Sequence, residues 1–429
     1  MDLYDVMILG GGFGGTAAAS RLEKRLKGRH EKVLLVAKDN FFTFTPLLPE
    51  AASGTLEPRH AVIPIRQLLR RTEVIVGDVT DLDLDTKTAK IRDLNGDLHA
   101  VGFKELILSP GAVPTTFPIP GLLEHAVGFK TLPDAIWLRN RVLRQLEAAD
   151  ATDDLELRRR LLTFTFVGGG YAGVEALAEL ESLARDALRQ YPNLRARDMR
   201  WVLVEAADGL LPGLDRRLAA YTEKQLRRRN IEVHLATRMV GCEDKVVRLD
   251  PPRVEPYASE TIVWTAGQRP SDIGRRLGLP LDARGRIVVD QYMRVHGHHE
   301  VWAVGDAAAV PDPLGGVTPA TAQHALRQGH AAGDNVAAAL GAGQPRKFRY
   351  KTRGLSVTLG EHQGTTQVRR LLFTGPLAWW MGRSYHLLML PGWVRRLRVV
   401  VDWTMALFFP RDVSQLGSLG TPSRLEPPE

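Results

Sequence analysis

Cysteine is almost missing from this chain. Cys242 is the one cysteine in 429 residues, so no intrachain disulfide, no CxxC pair and no cysteine-built zinc or iron–sulfur centre is expected. An oxidoreductase that passes electrons through a protein dithiol is thereby excluded. Long apolar runs are missing too: nowhere do about 18 consecutive apolar residues occur, so no bilayer span is expected. The opening Met1-Asp2-Leu3-Tyr4-Asp5 lacks the basic segment, apolar core and cleavage site of a leader, and reads as an unprocessed intracellular chain. A one-sided charge is also lacking over the first 345 residues. The net +8 (57 − 49) equals that of Arg346 to Glu429 alone, where 13 Lys/Arg face 5 Asp/Glu. That stretch also holds four of the eight tryptophans. With 44% apolar and 25% charged residues, the chain has the balance of a globular protein, and its length implies two or three domains.

What is present is glycine, in two matching places. Asp5-Val6-Met7-Ile8-Leu9 runs into Gly10-Gly11-Gly12-Phe13-Gly14-Gly15 and then Thr16-Ala17-Ala18-Ala19. Phe164-Thr165-Phe166-Val167 runs into Gly168-Gly169-Gly170-Tyr171-Ala172-Gly173 and then Val174-Glu175-Ala176-Leu177. Each copy is strand, glycine turn, helix, and each fits G-x-G-x-x-G. One such match is weak; two in the same context are strong. The first glycine makes the tight turn, the second admits a pyrophosphate, and the third lets helix pack on strand. The helix N-terminus then offers free N–H groups and a positive dipole end.

The second strand of such a unit should end in an acid that binds the ribose hydroxyls. In the later copy Trp201-Val202-Leu203-Val204 ends in Glu205, 32 positions after Gly173 (205 − 173). The polar helix expected over 181–197 accounts for the long spacing. A carboxylate there favours a 2′-hydroxyl and repels a 2′-phosphate, so NADH is expected over NADPH. In the earlier copy Lys32-Val33-Leu34-Leu35-Val36 ends at Ala37, without the acid. Either Asp39, 24 positions after Gly15, substitutes for it, or Lys38 meets a phosphate.

Farther on, Val301-Trp302-Ala303-Val304 ends in Gly305-Asp306, a strand terminus with an aspartate suited to a flavin's ribityl chain and pyrophosphate. Thr265-Ala266-Gly267 and Ser109-Pro110-Gly111 close two strands that carry the chain back from, and out to, a second nucleotide domain. We expect an α/β fold of two Rossmann-like dinucleotide-binding domains: a discontinuous first domain at 1–115 and 265–345, a second at 116–264, and a carboxy-terminal region at 346–429.

The tandem glycine turns, Thr265-Ala266-Gly267 and Gly305-Asp306 resemble the two-dinucleotide-binding-domain flavoproteins of the pyridine nucleotide-disulfide oxidoreductase type. Within them, Phe44-Thr45-Pro46-Leu47-Leu48-Pro49, Ile119-Pro120-Gly121, Gly173-Val174-Glu175, Ala322-Gln323-His324-Ala325 and Asp402-Trp403-Thr404 with Leu407 to Asp412 resemble the type II NADH:quinone oxidoreductases. These are single-subunit respiratory dehydrogenases that do not pump protons. The resemblance implies FAD on the first domain, with Gly10, Gly12, Gly15 and Asp306 at its positions, and adds Gly14, Lys38, Thr45, Pro46, Gly111, Ala266, Gly267, Gly305, Ala322 and Gln323 as cofactor contacts. It implies NADH on the second, with Gly168, Gly170, Gly173 and Glu205. Glu175 matches a carboxylate near nicotinamide and quinone, and is the expected proton relay. Gln323 matches a glutamine flanking flavin and quinone, while Arg327 stands where relatives carry a second glutamine, with Gln328 beside it. Glu175, Gln323 and Arg327 are the expected catalytic residues. Pro110, where many relatives carry Thr or Leu, removes a backbone donor.

Between Leu371 and Pro410, Trp379-Trp380-Met381, Leu387 to Trp393 and Val399-Val400-Val401 alternate with Arg383, Arg395, Arg396 and Arg398. Short amphipathic helices of this kind suit a lipid headgroup boundary, or the packing of a homodimer. The expected partners are NADH, a lipophilic quinone and peripheral membrane lipid at the cytoplasmic face of the cell membrane. No nucleic-acid module is visible. No metal is expected, since His296-Gly297-His298-His299 lacks further ligands at suitable spacing. Arg227-Arg228-Arg229 reads as a solvated helix face and Cys242 as a buried or loop thiol. Two other readings stay open. One is a soluble flavoprotein reductase serving an iron–sulfur protein; the other is a redox-sensing binding protein. Sulfide:quinone reductases share the fold but need redox cysteines that one cysteine cannot supply.

Overall fold

In the computed structural model, residues 1–415 are described apart from positions 353 and 361; the last part of the expected carboxy-terminal region, 416–429, lies outside the described residues. The apolar runs before the two glycine turns form the middle of two sheets, the first mixed and the second all parallel. In the first, Asp2–Leu9 lies between Val33–Ala37 and Leu98–Leu108, with Glu73–Asp83 and Val301–Ala303 beyond them. Strand Thr88–Asp93 pairs antiparallel with both long strands and links their outer halves. Val6, Met7 and Ile8 are fully buried, as continuous apolar runs are in a sheet covered on both faces.

The second sheet has the order Ile231–His234, Arg200–Val204, Thr163–Val167, Thr261–Trp264, Ala126–Gly128, all parallel. The chain leaves the first sheet after Leu108 and returns to it at Val301. Its outward and return paths are stitched together where Ala112–Pro114 pairs antiparallel with Gln268–Pro270.

The chain then forms helix Ala322–Ala339, which packs against helix Phe13–Arg25 so closely that a Cβ on Gly329 would sit 2.1 Å from the Gly14 carbonyl oxygen. An antiparallel sheet, Gly354–Thr358, Gly364–Val368 and Leu371–Thr374, follows. Two helices, Gly375–Met389 and Trp393–Phe408, complete the described chain. The second carries Trp393, Leu397, Val400, Val401, Met405 and Phe408 exposed, a stripe at helical spacing. No helix among the described residues is long and apolar enough to cross a membrane.

One expectation is corrected here. The Arg227-Arg228-Arg229 run is not uniformly solvated: Arg229 turns inward and pairs with the buried Glu181, and its guanidinium also reaches the carbonyls of Ala178 and Leu359. A carboxylate buried on the neighbouring helix needs a cation, and the end of the basic run supplies it. Cys242 is buried, with its Sγ 3.6 Å from the Pro120 carbonyl oxygen.

Candidate active site

Both glycine turns are built to the same plan. Gly10 and Gly168 have φ of +111° and +115°, which side chains rarely tolerate. A Cβ on Gly15 would fall 1.8 Å from the Gly10 carbonyl oxygen, and one on Gly173 would fall 2.1 Å from that of Gly168. Only hydrogen fits at those crossings. Gly12 and Gly170 face open space at the N-caps of helices Phe13–Arg25 and Tyr171–Ala187, and neither cap receives a side-chain hydrogen bond. Some other helices carry a side-chain cap, at Thr131, Asp154, Asp215 and Thr321, whereas the tail helices Gly375–Met389 and Trp393–Phe408 also lack one. Uncapped N–H groups beside open space are a fitting seat for a phosphate group.

Glu205 stands beside the second turn. Its carboxylate accepts the N–H of Gly169 at 2.5 Å and that of Ala207 at 2.7 Å. It therefore braces the turn as well as marking the end of its strand. Lys38 does not reach the corresponding place in the first unit. It is exposed, with its ammonium 3.5 Å from Asp78, and is not among the residues that line the cavity described next.

A continuous cavity of about 1250 Å³ runs between the two turns and on to the tail. Gly12, Gly14, Thr45, Pro46, Gly111, Gly305, Asp306, Ala322 and Gln323 line one part, with Gly170, Gly173 and Glu175 on another. Trp380, Met381, Tyr385, His386, Leu388 and Met389 of the first tail helix form the far wall. Gly10, Gly15, Gly168, Glu205, Ala266 and Gly267 are not among the residues that line it, whereas Thr265 and Gln268 are.

The charged groups here are shifted by burial. Glu175 accepts the Thr358 N–H at 2.9 Å, yet desolvation, with repulsion from Glu179 and Glu50, pushes its pKa up to about 8. Burial raises Asp306 as well, opposed by the positive Lys130. Lys130 is itself pushed down by burial and donates to the Ala112 carbonyl. His386 faces the cavity, and desolvation lowers it to about 4. It is neutral at physiological pH.

Of the expected catalytic residues, Glu175 and Gln323 line the cavity and Arg327 does not. Gln323 donates to the Gly354 carbonyl at 2.9 Å and accepts from the Tyr350 hydroxyl at 2.8 Å. Arg327 takes a different place. Its guanidinium stacks 4.2 Å over the Tyr350 ring and donates to the Gln323 carbonyl oxygen at 2.9 Å. One helical turn takes it to the outer side of the glutamine rather than to the cavity. Its neighbour Gln328 acts closer to the cavity wall. That buried amide accepts the Gly305 N–H at 2.8 Å and donates to Thr318 at 2.9 Å, holding the turn before Asp306.

Reading the sequence alone missed Gln328, Lys130, Glu50 and His386 as site residues. None carries a motif, and each reaches the site by tertiary packing. Among the described residues, no group of three or more His, Cys, Asp or Glu could hold a metal ion.

Comparison with known proteins agrees with this geometry. The family model of the pyridine nucleotide-disulphide oxidoreductases matches residues 4–329. The chain is 30% identical over 421 residues to the type II NADH:quinone oxidoreductase Ndh of Mycobacterium tuberculosis, covering 95% of this chain and 89% of the relative. It is 31% identical to NdhA of the same organism, covering 93% and 86%. An internal alternative NAD(P)H-ubiquinone oxidoreductase of Arabidopsis thaliana is 29% identical, covering 96% and 85%. In fold, the chain matches the structure of NDH2 from Plasmodium falciparum in complex with NADH, with a TM-score of 0.87 and 19% identity over 96% of this chain and 99% of that one. With two glycine turns opening on one cavity and these likenesses along nearly its whole length, the chain belongs to the pyridine nucleotide-disulphide oxidoreductase family and, within it, to the type II NADH:quinone oxidoreductases.

Proposed function

We propose that this chain oxidises NADH and reduces a lipophilic quinone without pumping protons, holding FAD across the first glycine turn and NADH across the second. The observation that carries the reading is the cavity itself, which joins Gly12, Gly170, Asp306, Glu175 and the apolar tail wall in one space. FAD, when bound, supplies the chemistry: it accepts hydride from the nicotinamide and returns two electrons to the quinone.

The residues divide the remaining work. Gly10, Gly12, Gly14 and Gly15 seat the FAD pyrophosphate, Asp306 holds the polar chain between it and the ring, and Thr45, Pro46, Gly111, Gly305 and Ala322 shape the surroundings. Gly168, Gly170 and Gly173 seat NADH. Ala266 and Gly267 form the turn behind the nicotinamide. Glu205 favours the ribose hydroxyls of NADH over the 2′-phosphate of NADPH. Gln323 is anchored at both ends of its amide and presents a fixed polar edge. Glu175 holds a proton at neutral pH and is placed to release it toward the quinone oxygen. The domain division at 1–115 with 265–345, 116–264 and 346–429 is part of this reading.

The tail gives the quinone its route. The exposed stripe from Trp393 to Phe408, with Arg395, Arg396 and Arg398 on the same helix, suits a membrane surface at the cytoplasmic face. A homodimer through the tail helices would use the same apolar face. The test is stopped-flow absorbance of the purified flavoprotein: rapid bleaching by NADH, slow bleaching by NADPH, then recolouring by short-chain ubiquinone in liposomes. Material that binds FAD and is bleached by NADH, but is not recoloured by quinone, overturns the quinone half.

A further inference from the structure

Arg383 is 4% exposed in a tail whose other described arginines lie nearer the surface. Its guanidinium carbon lies 4.0 Å from the ring of Trp379 and 4.9 Å from that of Trp403, so it sits between indoles of both tail helices. Its Nε is 3.2 Å from the carboxylate of Glu50, which is 2% exposed in helix Leu48–Ala52. The other Glu50 oxygen accepts the Trp403 indole N–H at 2.5 Å. Both tail helices and the first domain thus converge on one buried ion pair.

The pair is close to the chemistry on both sides. Helix Leu48–Ala52 packs on helix Tyr171–Ala187, and Glu50, Glu175 and Glu179 repel one another there. Arg383 shares its helix with Trp380, Met381, Tyr385 and His386, which form the tail wall of the cavity. A buried carboxylate without its cation must take up a proton or move to water.

Resting on the quinone reading above, we propose that Arg383 is a positioning residue: by pairing with Glu50 between two indoles, it seats the tail helix as the wall of the quinone end of the cavity. Glu50 is the anchor on the body: burial raises its pKa, the Arg383 guanidinium opposes that rise, and Glu50 and Glu175 repel one another. Seating the tail and setting the electrostatics at Glu175 are therefore one event. The ion pair contributes specificity of docking, since an apolar pair would let the tail slide.

The test uses the full-length FAD-loaded protein. Three quantities are compared for Arg383→Met, Arg383→Lys and the double variant Glu50→Gln with Arg383→Met: NADH-driven bleaching, and the KM and kcat for short-chain ubiquinone. We expect Arg383→Met to raise the quinone KM about tenfold with bleaching by NADH unchanged, since one lost charged contact is worth roughly that factor. Arg383→Lys should fall between, keeping charge but losing the fork and the stack. The double variant should recover part of the loss, because it leaves no unpaired carboxylate. An unchanged quinone KM in Arg383→Met, or bleaching that slows in parallel, overturns the proposal. If Arg383→Met does not fold, the same readings on Arg383→Lys decide it. Failure of the wild type to reduce quinone would refute the underlying reading instead.

Discussion

Thr358 donates its backbone N–H to the Glu175 carboxylate at 2.9 Å, joining the helix behind the second glycine turn to the first strand of the carboxy-terminal sheet. That bond holds the acid at the place where the nucleotide half of the cavity meets the tail half. It accepts a donor that favours the ionised form, and desolvation still outweighs it.

Glu175→Gln should therefore lower quinone turnover by about 10²-fold, the lower end of what a positioned proton donor contributes. FAD content and bleaching by NADH should stay normal. Steady-state assay beside single-turnover bleaching checks this, and equal loss of both rates would remove Glu175 from proton delivery.

The pH dependence has a definite sign. Glu175 has its folded pKa raised from 4.5 to about 8, so the native state binds more protons than the unfolded one between those values. Stability then falls as pH rises from about 4.5 through 8, and the penalty is full above both. Thermal unfolding should show Glu175→Gln gaining on the wild type at pH 9 and not at pH 4. Wild-type quinone turnover should decline above pH 8 as the donor loses its proton, and that decline should vanish in the glutamine variant.

Gly15→Ala places a Cβ 1.8 Å from a carbonyl oxygen. The helix must shift off the turn, at a cost of about 1–3 kcal/mol, and the protein should purify with little FAD. The equivalent Gly173→Ala should keep its FAD and lose NADH-driven bleaching. Flavin absorbance per mole of protein separates the two halves.

Glu205→Ala removes both the ribose carboxylate and the brace on Gly169 and Ala207. The KM for NADH should rise about tenfold or more, the scale of one lost charged hydrogen bond. NADPH should lose less, so the ratio of the two coenzymes moves toward NADPH. A parallel loss for both would leave Glu205 as a brace alone.

Arg327→Gln tests whether the arginine takes part in the reaction. With its guanidinium over Tyr350 and outside the cavity, the substitution should leave quinone kcat close to that of the unsubstituted enzyme. A large drop would place the arginine back in the reaction.

Local rules made much of this molecule legible. Strand, glycine turn and helix are set by residues within about 20 positions of one another, and steric exclusion of Cβ at Gly10, Gly15, Gly168 and Gly173 acts over a few bonds. So the two strand–glycine-turn–helix units, with Glu205 at the end of one strand and Asp306 just after another, could be read from the chain. Glu175 and Gln323 came from resemblance to a family motif; both line the cavity, and their roles belong to the proposed function. What the chain could not announce is what depends on distant segments meeting. Which way Arg327 points is decided by Tyr350, 23 positions on (350 − 327). That Glu50 faces Arg383 follows from a separation of 333 positions (383 − 50) folding back on the first domain. Lys38 and Arg229 show the same limit in miniature: a basic side chain goes to whichever carboxylate packing brings within reach, Asp78 for one and the buried Glu181 for the other. Backbone sterics are local and survive in the sequence, whereas desolvation and charge pairing exist only once the tertiary fold has chosen the neighbours.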